Sequence, residues 1–198
     1  MTVSNGRDNE QELVFETKRL RIRKALCVQK DLDMLFSLWN NPSVMECVGF
    51  PKGLQMDKMS IEREIVEKNN SIYLAVLIVE EKSTNQPIGQ CRLDVANDEG
   101  LHNIDFKLLP SFWERGYGRE LVVAMANYIF SHTSAKGIKG TPSKDNLASQ
   151  KLFEAVGCKR MGEDVYEFPE HMKHYTNSIS FYIYICTKKQ WRENLNIK

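Results

Sequence analysis

The chain has 198 residues, 42% hydrophobic and 27% charged, which is the composition of a folded domain and excludes a disordered or fibrous chain. Lysine plus arginine number 27 against 26 aspartate plus glutamate, so the formal charge of +1 gives no net field to draw in nucleic acid or an anionic membrane. The longest apolar run, Ile72 to Val79, falls far short of a bilayer span, and the opening MTVSNGRDNEQE lacks the apolar centre of a signal peptide.

Five scattered cysteines (Cys27, Cys47, Cys91, Cys158, Cys186) fit free thiols in a reducing cytoplasm better than disulfides or zinc. Residues 1–12 are polar and read as a flexible tail, 13–191 as one domain, and 192–198 as a second tail.

Taken in order, Arg19 to Arg23 alternates polar and apolar and predicts a strand. Asp31 is placed to cap a helix carrying Leu32, Leu35, Phe36 and Trp39 on one face, and Asn41-Pro42 interrupts it. Asp57 opens a second helix through Ile61 and Ile65. Ile72 to Val79 and Pro87 to Leu93 predict two strands joined near Thr84-Asn85-Gln86, and His102 to Leu108 a further one. A helix over Arg119 to His132 follows, apolar on most sides, then a short strand at 138–141 and a helix from Leu147 to Val156 stopped by Gly157. Strands at Lys159 to Tyr166 and Ser180 to Thr187 close the chain. The order predicts a mixed α/β (α+β) fold, with antiparallel hairpins first and a strand–helix–strand crossover that makes two strands parallel neighbours.

The segment Leu108-Leu109-Pro110-Ser111-Phe112-Trp113-Glu114-Arg115-Gly116-Tyr117-Gly118-Arg119 joins a strand to a helix. Two glycines allow a tight turn with bare N–H groups, the helix start adds unpaired donors, and Arg115 and Arg119 flank it. This is an anion site suited to a diphosphate, or else a plain glycine turn with two solvated arginines. It has neither the P-loop pattern nor the third glycine of a dinucleotide fingerprint. Further on, Asn146 is a helix cap with Ser149 three residues later.

Together, PSFWERGYGREL and NLASQKLFEAVG resemble the GNAT superfamily of acetyltransferases, specifically its RimJ/RimL-like branch. Thr17-Lys18-Arg19-Leu20-Arg21-Ile22-Arg23, Trp39-Asn40-Asn41-Pro42 and Ile88-Gly89 support the likeness. The resemblance implies a mostly antiparallel sheet flanked by helices, with one splayed parallel strand pair. It implies acetyl-CoA as acyl donor, direct attack by a primary amine (a protein N-terminal amine or a small-molecule amine) as acceptor, and no metal. His171 and His174 in EHMKH match no zinc spacing and read as a solvated loop.

By the same resemblance, Phe106, Lys107 and Leu108 pair with the pantetheine arm, while Glu114, Arg115, Gly116, Tyr117, Gly118 and Arg119 hold the diphosphate. Asn146, Ser149 and Phe153 lie beside the cofactor. Phe153 stands where many relatives have a proton-donating Tyr, which leaves Ser149 as donor to the leaving thiolate. Asn103 stands where the branch usually has Glu, which leaves His102 or Asp105 as base, or a water relay. Side chains alternate along a strand, so His102 and Asp105 face opposite ways unless a bulge intervenes. Acceptor determinants are expected in Trp39 to Phe50, Pro51 to Met59 and Phe168 to Tyr175. A non-catalytic acyl-CoA-binding module of the same fold is the alternative. The last strand is apolar on both faces and needs cover from the chain's own helices or a partner copy, which leaves a homodimer open.

Overall fold

The computed structural model describes residues 12–196. The expected N-terminal tail, apart from Glu12, lies outside the described residues. Eight strands form one sheet: β1 (Leu13–Glu16), β2 (Leu20–Lys24), β3 (Leu77–Glu81), β4 (Gln86–Ala96), β5 (Leu101–Leu108), β6 (Gly137–Gly140), β7 (Lys159–Tyr166) and β8 (Ile179–Thr187). Their spatial order is β1-β2-β3-β4-β5-β6-β8-β7. Every pairing is antiparallel except β5 with β6, which run parallel. This is a mixed α/β fold with an open, mostly antiparallel sheet.

Six helices flank the sheet: α1 (Gln29–Trp39), α2 (Pro42–Met45), α3 (Lys58–Lys68), α4 (Tyr117–His132), α5 (Leu147–Ala155) and α6 (Lys188–Asn196). The helix α6 replaces the start of the C-terminal tail expected from residue 192, and β1 was not foreseen. One face of the sheet packs Ile22, Leu77, Val79, Cys91, Leu93 and Ile104 against Leu121, Met125 and Ile129 of α4. The other packs Val76 and Ile78 against Leu35 and Leu38 of α1 and Ile61 and Ile65 of α3.

Local chemistry explains several boundaries. Asp57 caps α3 by accepting from the Ser60 N–H at 2.8 Å. Asp31 does not cap α1, whose N-cap is Val28. Instead Asp31 is buried and takes two 2.7 Å bonds from the Arg23 guanidinium. Arg23 is itself fully buried and also reaches Glu80 at 3.1 Å, while Arg21 donates to Glu80 at 2.6 Å. The strand expected from Ile72 begins only at Leu77, because Leu74 adopts a left-handed φ of 70° that no strand accommodates. Phe36, expected on the apolar face of α1, is exposed.

Candidate functional site

The parallel pair is short. Only Leu101, His102 and Asn103 of β5 meet Gly137, Ile138 and Lys139 of β6, and beyond them the strands part. The Leu109 N–H bonds to the Ile88 carbonyl, so Leu108 and Gly89 form a non-hydrogen-bonded pair. Ile104, Phe106 and Leu108 therefore turn their main-chain groups into the gap. Lys107 turns its own toward β4. Of the outward carbonyls, that of Leu108 already accepts from the Trp113 indole at 2.7 Å.

β5 leads through a 3-10 turn, Pro110–Phe112, to the glycine turn. Glu114 and Gly116 both have positive φ, 60° and 77°. Gly116 is the N-cap of α4 and no side chain caps that end, which leaves the N–H groups of the first turn available to an anion. Gly118 lies within the helix, so its role differs from the tight turn expected of it. A Cβ there would sit 2.9 Å from Leu152 Cδ1 of α5 and 3.5 Å from Phe106 Cε2. Its missing side chain lets α4 approach α5 and β5.

Arg115 and Arg119 are exposed beside the turn. The Tyr117 side chain is buried and points away, its hydroxyl donating to Glu81. One supporting residue escaped the sequence reading. Arg19 donates to the Arg115 carbonyl at 3.0 Å and to Glu120 at 2.6 Å, and its guanidinium lies 4.3 Å over the Tyr117 ring. The only sequence signal was its place in the TKRLRIR run.

At the start of α5, Asn146 accepts from the Ser149 N–H at 3.0 Å, which leaves the half-buried Ser149 hydroxyl outside the cap. Phe153 is 3% exposed, packs on Gly140 and stacks on Tyr184 at 5.9 Å between ring centroids. It is a core residue on the β6 side of the gap and offers almost no surface to a ligand.

The two residues considered as bases lie on opposite faces. His102 is buried on the α4 face, with Nδ1 bonded to the Asp94 carbonyl at 2.8 Å and the ring 5.6 Å from that of Tyr73. Its ring is thus packed inside the domain, with one nitrogen committed to a main-chain carbonyl. Asp105 faces α1 and α3 and pairs with Lys107 at 2.7 Å. Burial pushes its carboxyl up, but the ammonium and hydrogen bond of Lys107, with Arg92, outweigh that and hold it below the ordinary carboxylate value. It stays ionised and is a weak proton acceptor.

Beside Asp105 a cavity of about 150 Å³ opens between the sheet and α1, α2 and α3. Trp39 stands in it, its indole donating to Gln90 at 2.5 Å. A larger cavity of about 620 Å³ runs along the outer side of α4 and touches the glycine turn only at Gly116, Arg119 and Glu120. It lies away from the gap between β5 and β6. Among the described residues no three His, Cys, Asp or Glu side chains gather as a metal site would need. No described helix is long and apolar enough to cross a membrane.

A family model described as acetyltransferase (GNAT) domain matches residues 19–159. An uncharacterized N-acetyltransferase of Bacillus licheniformis, p20, is 25% identical over 153 residues, covering 74% of this chain and 82% of that protein. An aminoglycoside N(6')-acetyltransferase type 1 of Klebsiella pneumoniae is 25% identical over 69% of this chain and 73% of its own. Among solved structures, a spermidine N-acetyltransferase of Vibrio cholerae in complex with CoA and spermine superposes with a TM-score of 0.72. That match has 18% identity and covers 89% of this chain and 99% of the other.

Proposed function

The chain belongs to the acetyltransferase (GNAT) family, and on that footing we propose that it is an acetyl-CoA-dependent N-acetyltransferase acting on a primary amine. The observation that carries this reading is the continuity of two binding surfaces. An edge of outward N–H and C=O groups at Ile104 and Phe106 leads directly into a helix N-terminus without a side-chain cap. An amide-rich arm pairs with the first as an added strand, and a diphosphate binds the second. The missing side chain of Gly118 lets α4 close on α5 and β5, which sets where that helix N-terminus stands.

In this reading the main chain of Phe106 and the Leu108 N–H hold the pantetheine arm. The N–H groups from Gly116 to Arg119, with the Arg115 and Arg119 side chains, hold the diphosphate. Acetyl-CoA supplies the thioester whose C–S bond breaks as the new amide bond forms. Ser149 gives its hydroxyl proton to the departing sulfur. Asp105, held ionised, binds the incoming ammonium; one of its protons leaves through water before attack, and the second, lost as the amide forms, returns through water to the Ser149 oxygen. The motifs around Trp113 and Asn146 to Ser149 favour the RimJ/RimL-like branch, and five free thiols favour a cytoplasmic setting.

The test is thermal unfolding with acetyl-CoA, with ATP and NAD as controls, followed by amine-dependent CoA release. A ligand at about 100 times its Kd stabilises the folded state by roughly 2.7 kcal/mol, a readily visible shift. No shift with acetyl-CoA defeats the proposal. The burial of Phe153 and the ionised Asp105 favour a second reading, a non-catalytic acyl-CoA-binding module. Binding without release of CoA to any amine would select it.

A further inference from the structure

Resting on the acetyltransferase reading, we infer that the acceptor is a small zwitterion, an α-amino acid with an apolar side chain, and not a polycation. The cavity beside Asp105 is lined by two carboxylates, Glu64 and Asp105, and three cations, Lys68, Arg92 and Lys107. Each carboxylate is already matched. Asp105 pairs with Lys107 at 2.7 Å, and Glu64 with Lys68 one helical turn away. Arg92 is itself held by Asp94 at 2.7 Å. A polyamine or aminoglycoside brings several ammonium groups and needs carboxylates without cations of their own. Here each added positive charge meets Lys107 or Arg92, and like charges brought together are penalised.

An α-amino acid presents the complementary pattern. Its ammonium joins Asp105, and its carboxylate joins Lys107, whose ammonium spends one donor on Asp105, and Arg92. With Asp105, Lys107, Arg92 and Asp94, the ligand's two charges complete an array of three positive and three negative groups, so no charge is left unmatched. The remaining walls are apolar (Trp39, Met45, Leu54 and Met56), which suits an aliphatic side chain. The cavity is small, about 150 Å³, which suits a compact acceptor.

The experiment measures CoA release by the full-length chain with acetyl-CoA and L-leucine, L-leucinamide or spermidine. Calorimetry of L-leucine binding to the CoA-saturated protein runs alongside. The expected kcat/KM for leucine exceeds that for leucinamide by about tenfold or more, the scale of one charge-assisted hydrogen bond, with spermidine at background. Lys107→Met narrows the acid-to-amide ratio through KM for leucine, and Lys107→Arg retains it; retained CoA binding verifies that each variant is folded. Equal use of leucine and leucinamide, or preference for spermidine, overturns the inference. So does acetyl-CoA binding with neither turnover nor calorimetric binding of leucine. If acetyl-CoA itself does not bind, the parent reading fails instead.

Discussion

The Trp113 indole N–H donates a 2.7 Å hydrogen bond to the main-chain carbonyl of Leu108, the last residue of β5. The bond fixes the glycine turn to the strand that precedes it and uses one of the carbonyls that face the gap. Trp113 is otherwise 44% exposed, so the bond more than the packing holds it in place.

Trp113→Phe keeps a ring at this site and removes the donor. A typical hydrogen bond contributes about 0.5–1.5 kcal/mol, so acetyl-CoA should bind up to roughly tenfold more weakly, with little change in melting temperature. Isothermal titration with acetyl-CoA checks this; unchanged affinity would show that the turn keeps its shape without the bond.

Gly118 is expected to tolerate alanine better than valine. The atom nearest an added Cβ is the end of the Leu152 side chain, 2.9 Å away, which a rotamer change can relieve. The branched methyls of valine also press toward Phe106. Gly118→Val should weaken acetyl-CoA binding at least about tenfold through a shifted α4. Pairing it with Leu152→Ala should restore part of the loss, and a double variant no better than the single one would refute the steric account.

Ser149→Ala separates proton donation from capping, because Asn146 takes the main-chain N–H of residue 149 and not its hydroxyl. As general acids contribute roughly 10²–10⁴-fold, kcat should fall by about a hundredfold or more while the Kd for acetyl-CoA stays within about twofold. A kcat near wild type would leave Ser149 with no part in the chemistry.

Acid should weaken the fold through Glu80. Burial pushes its carboxyl up, but bonds and charges from Arg21 and Arg23 win and hold its pKa below the ordinary 4.5. A lowered folded pKa means stability that is fully present above about pH 4.5 and lost as pH falls through the folded value. Melting temperature should stay level from neutral pH toward 5 and drop below it. Glu80→Gln should be less stable at neutral pH, and its deficit should shrink in acid. A constant deficit down to pH 3 would exclude ionisation as the cause.

The sequence spoke most clearly where one residue type has one physical use. Gly157 stops α5 with a φ of 90°, Asp57 caps α3, and Gly116 adopts the left-handed turn before α4. It was misleading where a side chain has two uses. Asp31 looks like a cap yet is the buried partner of Arg23, a role set by a strand eight residues earlier in the chain. Alternation along β5 correctly separated His102 from Asp105, but which face carries the acceptor cavity depends on where α1 and α3 pack. Likewise the Trp113 to Leu108 bond and the placement of Arg19 under the turn depend on tertiary closure that local pattern does not encode.

The short parallel contact in the middle of the sheet also has a mechanical consequence. The β1–β5 side and the β6-β8-β7 side are joined within the sheet by three residue pairs, Leu101 to Asn103 with Gly137 to Lys139. Load passing through the sheet crosses that seam, and above it the two halves can part like the jaws of a clothes-peg. Whatever bridges the open part acts as a rivet as well as a ligand. Amide exchange at Ile138 and Lys139 should therefore slow more on filling the gap than exchange anywhere in β2 or β3, where the ladders are already complete.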